Sequence, residues 1–307
     1  HIAVAWHEPK LQHVYEGTQY RPEVGDYSMP EFTEYAIGKA LLVDEGDENN
    51  VNDLRALVAA ISETSTLSPK LYGLLDIERM ATQFAVEKFI SHWDGYSGNV
   101  PWAPNNNFMM SNTAGRFQLM PWGADGTWQF DFEPGLSDSG TEVFDAGSSI
   151  LFPRCLRDDF CASAYRRALS KVAQLAPKYR DLGQTLFTTH TTARVADTVR
   201  LGSEPDSLWA WSETRRYIAQ RPDDVARYLS TVVTGAVRWQ PESLKLAKGT
   251  ALLPKHLNAY SDVLGNFSYS VSLGTKWAVG KHDVTVTFTP ADAAVAPQSV
   301  TRTFTVA

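Results

Sequence analysis

His92-Trp-Asp94, Asn105-Asn-Asn107 and Pro121-Trp-Gly-Ala-Asp125 are three short runs within one stretch, and their order decides how the chain is read. Upstream, Ile77, Met80, Phe84 and Phe89, with Ala81, Ala85 and Lys88 between them, repeat at helical spacing. This predicts a helix that begins near Asp76 and stops just before His92. Residues 93–107 are rich in Gly, Pro and Asn and read as a loop. Phe108-Met-Met110 and Phe117-Gln-Leu-Met120 read as two short strands turned at Asn112-Thr-Ala-Gly115. Asp125 follows the second strand.

Helix, loop, hairpin and loop thus deliver an Asp, an Asn and a second Asp, in the order in which protein kinases present them. There, a loop Asp orients the substrate hydroxyl, and an Asn and a later Asp hold Mg²⁺. Hard oxygen ligands suit that ion, which neutralises phosphate charge. Alone, this spacing is weak, because Asp and Asn in loops commonly make turns.

Phe89-Ile-Ser-His-Trp-Asp-Gly-Tyr96, Asn106-Asn-Phe-Met-Met110 and Arg116-Phe-Gln-Leu-Met-Pro-Trp-Gly-Ala-Asp-Gly-Thr-Trp128 are similar to the CotH family of spore-coat-type, atypical secreted kinases. Val14-Tyr-Glu-Gly17 resembles that family's Leu-Tyr-Glu-Gly. Ser149-Ile-Leu-Phe-Pro-Arg-Cys155 and Thr214-Arg-Arg-Tyr-Ile-Ala-Gln-Arg-Pro222 resemble its C-terminal helical part. The resemblance spans roughly residues 14–231. It implies ATP and Mg²⁺ as cofactors, with Asp94 as the catalytic-loop acid and Asp125 on the metal. Two asparagines compete for the remaining place. Asn107 precedes the strand, as the family's Asn does, and is preferred. Asn99 stands five residues after Asp94, as in ordinary kinases. Phe108-Met-Met110 departs from the family's tyrosines, and Gly123 stands where an Asp is frequent.

Nothing before Asp94 reads as a phosphate-covering Gly-rich loop followed by a buried Lys. Family members carry an N-terminal lobe upstream of Tyr-Glu-Gly. The chain opens His1-Ile-Ala-Val without Met, so the expectation is a processed or partial product whose partner is its own N-terminal part. Catalysis is then expected only in the complete protein, as phosphoryl transfer to protein hydroxyls. The alternative is a non-catalytic surface or assembly component on the same scaffold.

From about 140 to 236 the pattern is helical, over 158–175, 191–200, 205–219 and 222–231, with Pro222 opening the last helix. Trp209, Trp211 and Tyr217 read as core packing. Beyond Trp239 the character changes. Phe267-Ser-Tyr-Ser-Val271, Asp283-Val-Thr-Val-Thr-Phe288 and Val300-Thr-Arg-Thr-Phe-Thr-Val306 alternate with period two. Gly265-Asn-Phe-Ser-Tyr269 and Gly280–Asp292 resemble a bacterial Ig-like repeat. The expectation is an α+β chain: a kinase-like, mainly helical C-lobe with a short β-hairpin over 1–239, then an all-β Ig-like sandwich over 240–307.

The chain has 307 residues and a net charge of −7, which argues against general nucleic-acid or anionic-membrane binding. No apolar run reaches the roughly 18–20 residues of a membrane span. Cys155 and Cys161, the two cysteines, are close enough to pair as a structural disulfide in an oxidising compartment. Localisation is expected to be extracellular or at the cell surface. Trp6-His-Glu-Pro9 is not a HExxH zinc motif, and no GxSxG is present.

Overall fold

The computed structural model describes residues 11–17, 32–34, 36–38, 41–98, 106–124, 127–128, 144–145, 147, 149–199, 202–232, 236–293 and 295–307. The chain divides into two compact units, His1–Thr231 and Val232–Ala307. Both helix and sheet are present, as an α+β class requires. Among the described residues no helix is long and apolar enough to cross a membrane.

The first unit is built on a four-stranded antiparallel sheet of order β2-β1-β3-β4. Its strands are β1 (Leu11–Gly17), β2 (Leu41–Glu45), β3 (Asn107–Asn112) and β4 (Phe117–Pro121). The expected hairpin is thus half of a larger sheet. Val14-Tyr-Glu-Gly17 forms the end of β1, and Gly17 pairs with Asn107. The helices are α1 (Asn52–Ser62), α2 (Pro69–Leu74), α3 (Ile77–Ile90), α4 (Leu151–Arg157), α5 (Asp159–Thr189), α6 (Thr191–Ala196) and α7 (Glu204–Val232).

Asp76 caps α3 by accepting the Arg79 N–H at 3.2 Å, and its own N–H reaches the Phe117 carbonyl of β4 at 2.8 Å. Met80, Phe84, Ala85, Glu87, Lys88 and Phe89 are all buried. A helix covered on nearly every side is a central element rather than an amphipathic surface one. Phe84 stacks on Tyr96 and meets Phe152 edge-on at 5.2 Å, and Phe152 meets Tyr165 of α5 at 5.4 Å. Each such ring contributes roughly 1.5–3 kcal/mol by burial.

The sequence divides 205–231 at Pro222, but α7 is one helix with Pro222 inside it. The reason is packing. Tyr217, Ile218, Arg221, Asp224, Val225 and Tyr228 form one continuous buried stripe across the proline, which offsets the roughly 3 kcal/mol that an interior proline costs. Helix α5 likewise runs on through Pro177 to Thr189. Tyr217 is buried as expected; Trp209 is 68% exposed and is not core. Cys155 and Cys161 form a disulfide with no exposed surface. It closes the α4–α5 corner, where Asp158 accepts the Cys161 N–H at 2.9 Å and the Tyr72 hydroxyl at 2.5 Å.

The second unit is one four-stranded sheet of order β5-β8-β7-β6 among the described residues. It comprises β5 (Lys245–Leu246), β6 (Gly265–Tyr269), β7 (Gly280–Pro290) and β8 (Gln298–Val306). All pairs are antiparallel except β5 with β8. Val284, Val286 and Phe304 turn inward with Trp239, Leu246 and Leu252. Outward, Thr285 bonds Thr301 and Thr287 bonds Ser299 across the strands.

Three buried polar side chains of β1 and β3, His13, Tyr15 and Ser111, share one carboxylate. Asp53 of α1 accepts from Ser111 at 2.5 Å, Tyr15 at 2.6 Å and His13 at 2.9 Å, and also from the Leu54 N–H. Burial pushes this carboxyl up, but the hydrogen bonds outweigh burial and hold it below the usual carboxylate range. A lowered folded value gives stability that is present above the unfolded value, about 3.9, and lost as pH falls through the folded value. Asp53→Asn is therefore expected to cost about 2–4 kcal/mol in urea unfolding at pH 7. It should also flatten the fall in stability below about pH 4; identical acid limbs in the two proteins would refute this account.

Candidate functional site

The site starts where α3 stops. Ser91 ends the helix in the left-handed region, with φ 54°, and turns the chain sharply. Residues 92–98 then fold as two successive turns, with the Gly95 N–H on the His92 carbonyl and the Gly98 N–H on the Gly95 carbonyl, both at 3.1 Å. Glu87 fastens both ends of this loop. Its backbone carbonyl accepts the His92 N–H at 2.9 Å. Its buried carboxylate accepts the Ser97 N–H and hydroxyl, both at 2.7 Å.

Asp94 lies on this loop with its side chain 16% exposed, so it is held from behind yet reachable from solvent. Its Oδ2 accepts the Asn106 amide at 2.6 Å, and its Oδ1 lies 3.4 Å from His92 Nε2. His92 is buried, and the same Nε2 is 3.1 Å from the Gly123 carbonyl. Burial lowers the His92 pKa. The hydrogen bond to Asp94, the charges of Glu87 and Asp94 and the Gly123 carbonyl outweigh that and hold it above its ordinary value.

Asp94, Asn106, His92 and Gly123 therefore form one cluster. Gly123 has φ +61°, and a Cβ there would meet Asn106 Cγ at 2.5 Å. The glycine that departs from the family pattern is the surface on which Asn106 rests. On the other side of Gly123, exposed Trp122 meets Phe108 edge-on at 5.3 Å.

The preferred asparagine of the sequence, Asn107, stands elsewhere. It is buried, its amide donates to the Gly17 carbonyl at 3.4 Å, and a Cβ on Gly17 would collide with its Oδ1. The Tyr-Glu-Gly and Asn-Asn landmarks are thus one packing unit. The asparagine brought to Asp94 is Asn106, which the sequence reading passed over. Asn99 and Asp125 lie outside the described residues. The described residues on either side of Asp125 are anchored near the Asp94 loop through Gly123 and Trp128. Gly123 is bonded as above. Thr127 bonds the Ala124 carbonyl at 2.8 Å, and the Trp128 N–H reaches the Ile90 carbonyl at 2.7 Å.

Among the described residues no group of three or more His, Cys, Asp or Glu could hold a metal. The oxygen donors present in the cluster, the Asp94 carboxylate and the Asn106 carboxamide oxygen, are hard ligands of the class Mg²⁺ takes.

Gly95 supports His92 directly, since a Cβ there would meet His92 Nδ1 at 2.5 Å. Gly95→Ala is expected to lower stability by about 1–3 kcal/mol through overpacking, measured by thermal unfolding. An unchanged midpoint would show that the imidazole does not need the space.

The family described as CotH kinase protein matches residues 19–179. This span contains α3, the Asp94 loop and the β3–β4 hairpin. No curated protein sequence matches the chain. The match covers more than half of the chain and includes the whole cluster around Asp94, so this chain belongs to the CotH kinase protein family.

Proposed function

We propose that the first unit carries the acid- and metal-handling half of a kinase-like site for ATP- and Mg²⁺-dependent transfer of a phosphoryl group to a protein hydroxyl. The observation that supports this most is the Asp94 carboxylate, partly exposed and bonded at 2.6 Å to Asn106, within the span that matches the family. In this reading Asp94 orients the incoming hydroxyl and accepts its proton as the oxygen–phosphorus bond forms and the bond to ADP breaks. Asp125 is the metal ligand. We assign the carboxamide ligand to Asn106, because it lies against Asp94, whereas Asn107 is buried against Gly17; Asn99 takes no part in the assignment. Bound Mg²⁺ would neutralise phosphate charge.

His92 keeps Asp94 and the Gly123 carbonyl together and so sets the carboxylate's orientation. The buried disulfide supports maturation in an oxidising compartment and an extracellular or cell-surface location. The second unit, with its Thr-lined β7–β8 face and Trp239-centred core, is read as a bacterial Ig-like module that spaces the first unit at a surface.

A second reading is a non-catalytic surface or assembly component on the same scaffold. It is favoured by Gly123 at a position where the family pattern often has Asp. Calorimetry on the intact protein separates the two readings, since tight binding of Mg²⁺-ATP is expected only from the first.

The direct test is transfer of γ-phosphate label to a protein acceptor by the intact protein in the presence of Mg²⁺. Asp94→Asn and Asp125→Ala are each expected to reduce labelling by about 10²–10⁴-fold. Undiminished labelling by Asp125→Ala would sink the metal assignment, and undiminished labelling by Asp94→Asn would sink the acid.

A further inference from the structure

Helix α3 ends inside the first unit, so the carbonyls of its last turn must find donors beyond the helix. All four are accounted for. The Glu87 carbonyl takes the Ser91 and His92 N–H groups. The Lys88 carbonyl takes Arg221 Nη2 at 2.6 Å. The Phe89 carbonyl takes the Tyr217 hydroxyl at 2.7 Å and Arg221 Nε at 3.2 Å. The Ile90 carbonyl takes the Trp128 N–H at 2.7 Å. Two successive carbonyls, immediately before the turn at Ser91, are thus held from α7, more than 120 residues further along the chain.

Arg221 is 1% exposed. Its closest polar contacts are these carbonyls; Asp224 approaches only to 4.0 Å. Its guanidinium lies over the Phe144 ring at 4.5 Å and the Tyr217 ring at 5.2 Å. The Trp128 ring meets both Phe89 and Tyr217 edge-on. A planar fork spans two successive carbonyls where an ammonium does not, and a cation at a helix C-terminus also complements the helix dipole. Surface protection alone would not need a buried charge fixed by two aromatic faces.

We propose that Arg221 and Tyr217 are positioning residues for the Asp94 loop, holding the last carbonyls of α3 and thereby fixing the point from which the loop departs. Both residues lie beyond the span that matches the family, 19–179, and their described hydrogen bonds go to the end of α3. The catalytic meaning of the inference rests on the proposed function; its structural half does not.

The test uses the intact protein as wild type, Tyr217→Phe, Arg221→Met and Arg221→Lys. Backbone hydrogen exchange is read by mass spectrometry beside phosphoryl transfer. In Arg221→Met the amides of residues 91–98 are expected to exchange about ten- to a hundredfold faster, the range for losing hydrogen bonds to a charged group. Residues 52–62 and 236–307 should keep their rates. Tyr217→Phe removes one oxygen and should show the same pattern more weakly, which keeps the test valid if Arg221→Met does not fold. In phosphoryl transfer, kcat should fall with little change in KM for ATP, and Arg221→Lys should restore only part of it.

Unchanged exchange over 91–98, or an equal rise over 52–62, would overturn the inference, the latter by showing a role in general stability alone. If the intact wild-type protein transfers no phosphate, the proposed function fails, while the exchange comparison still decides whether these residues hold the loop.

Discussion

A helix that ends within a folded domain strands carbonyl oxygens away from water, and each must be given a donor. In this chain the helix that ends so is α3, and the chain leaving it carries Asp94. The donors come from three places: the loop itself, the segment after β4, and α7. Satisfying the helix end therefore ties together parts of the chain that are remote in sequence. Glu87 adds a second fastening, because its backbone and its side chain hold opposite ends of the same loop. Order around Asp94 follows from this hydrogen-bond requirement before any ligand is considered.

The parts of the fold with strong local signals were legible. The α3 repeat, the Asp76 start and the Asn112–Gly115 turn stand where periodicity and turn chemistry put them. Strands β1 and β2 were not read. Strand β1 carries His13 and Glu16 among its apolar residues, which blurs the pattern, and His13 is tolerated inside only because Asp53 of α1 accepts from it. The proline in α7 misled for a related reason. Local preference argued for a break at Pro222, whereas the continuous buried stripe from Tyr217 to Tyr228 favours one helix. Trp209 shows the opposite error, since residue type suggested core and its place on the exposed side of α7 decided otherwise.

The site was legible as a set of residue types and an order, less so as contacts. Asp94 and an asparagine beside it could be named from sequence. Which asparagine reaches it could not, because neighbouring residues at the entry to a strand face different ways. Here the choice depends on Gly17, 90 residues earlier, whose bare Cα leaves room for the Asn107 amide. Arg221 stands in a run singled out by resemblance, but its contacts left no local signal, since its partners are backbone carbonyls on another helix, and a carbonyl has no residue type to read.

Gly123 and Asn106 show how such packing constrains substitution. With Asn106 seated over Gly123 and the glycine at φ +61°, any side chain at 123 collides with the amide that serves Asp94. An aspartate at 123 would fit only if residue 106 moved or shrank. The two positions are interlocked: a change at 123 alone costs the fit, and loss of the amide at 106 alone costs the bond to Asp94. Gly123 is one half of a local fit whose other half is Asn106.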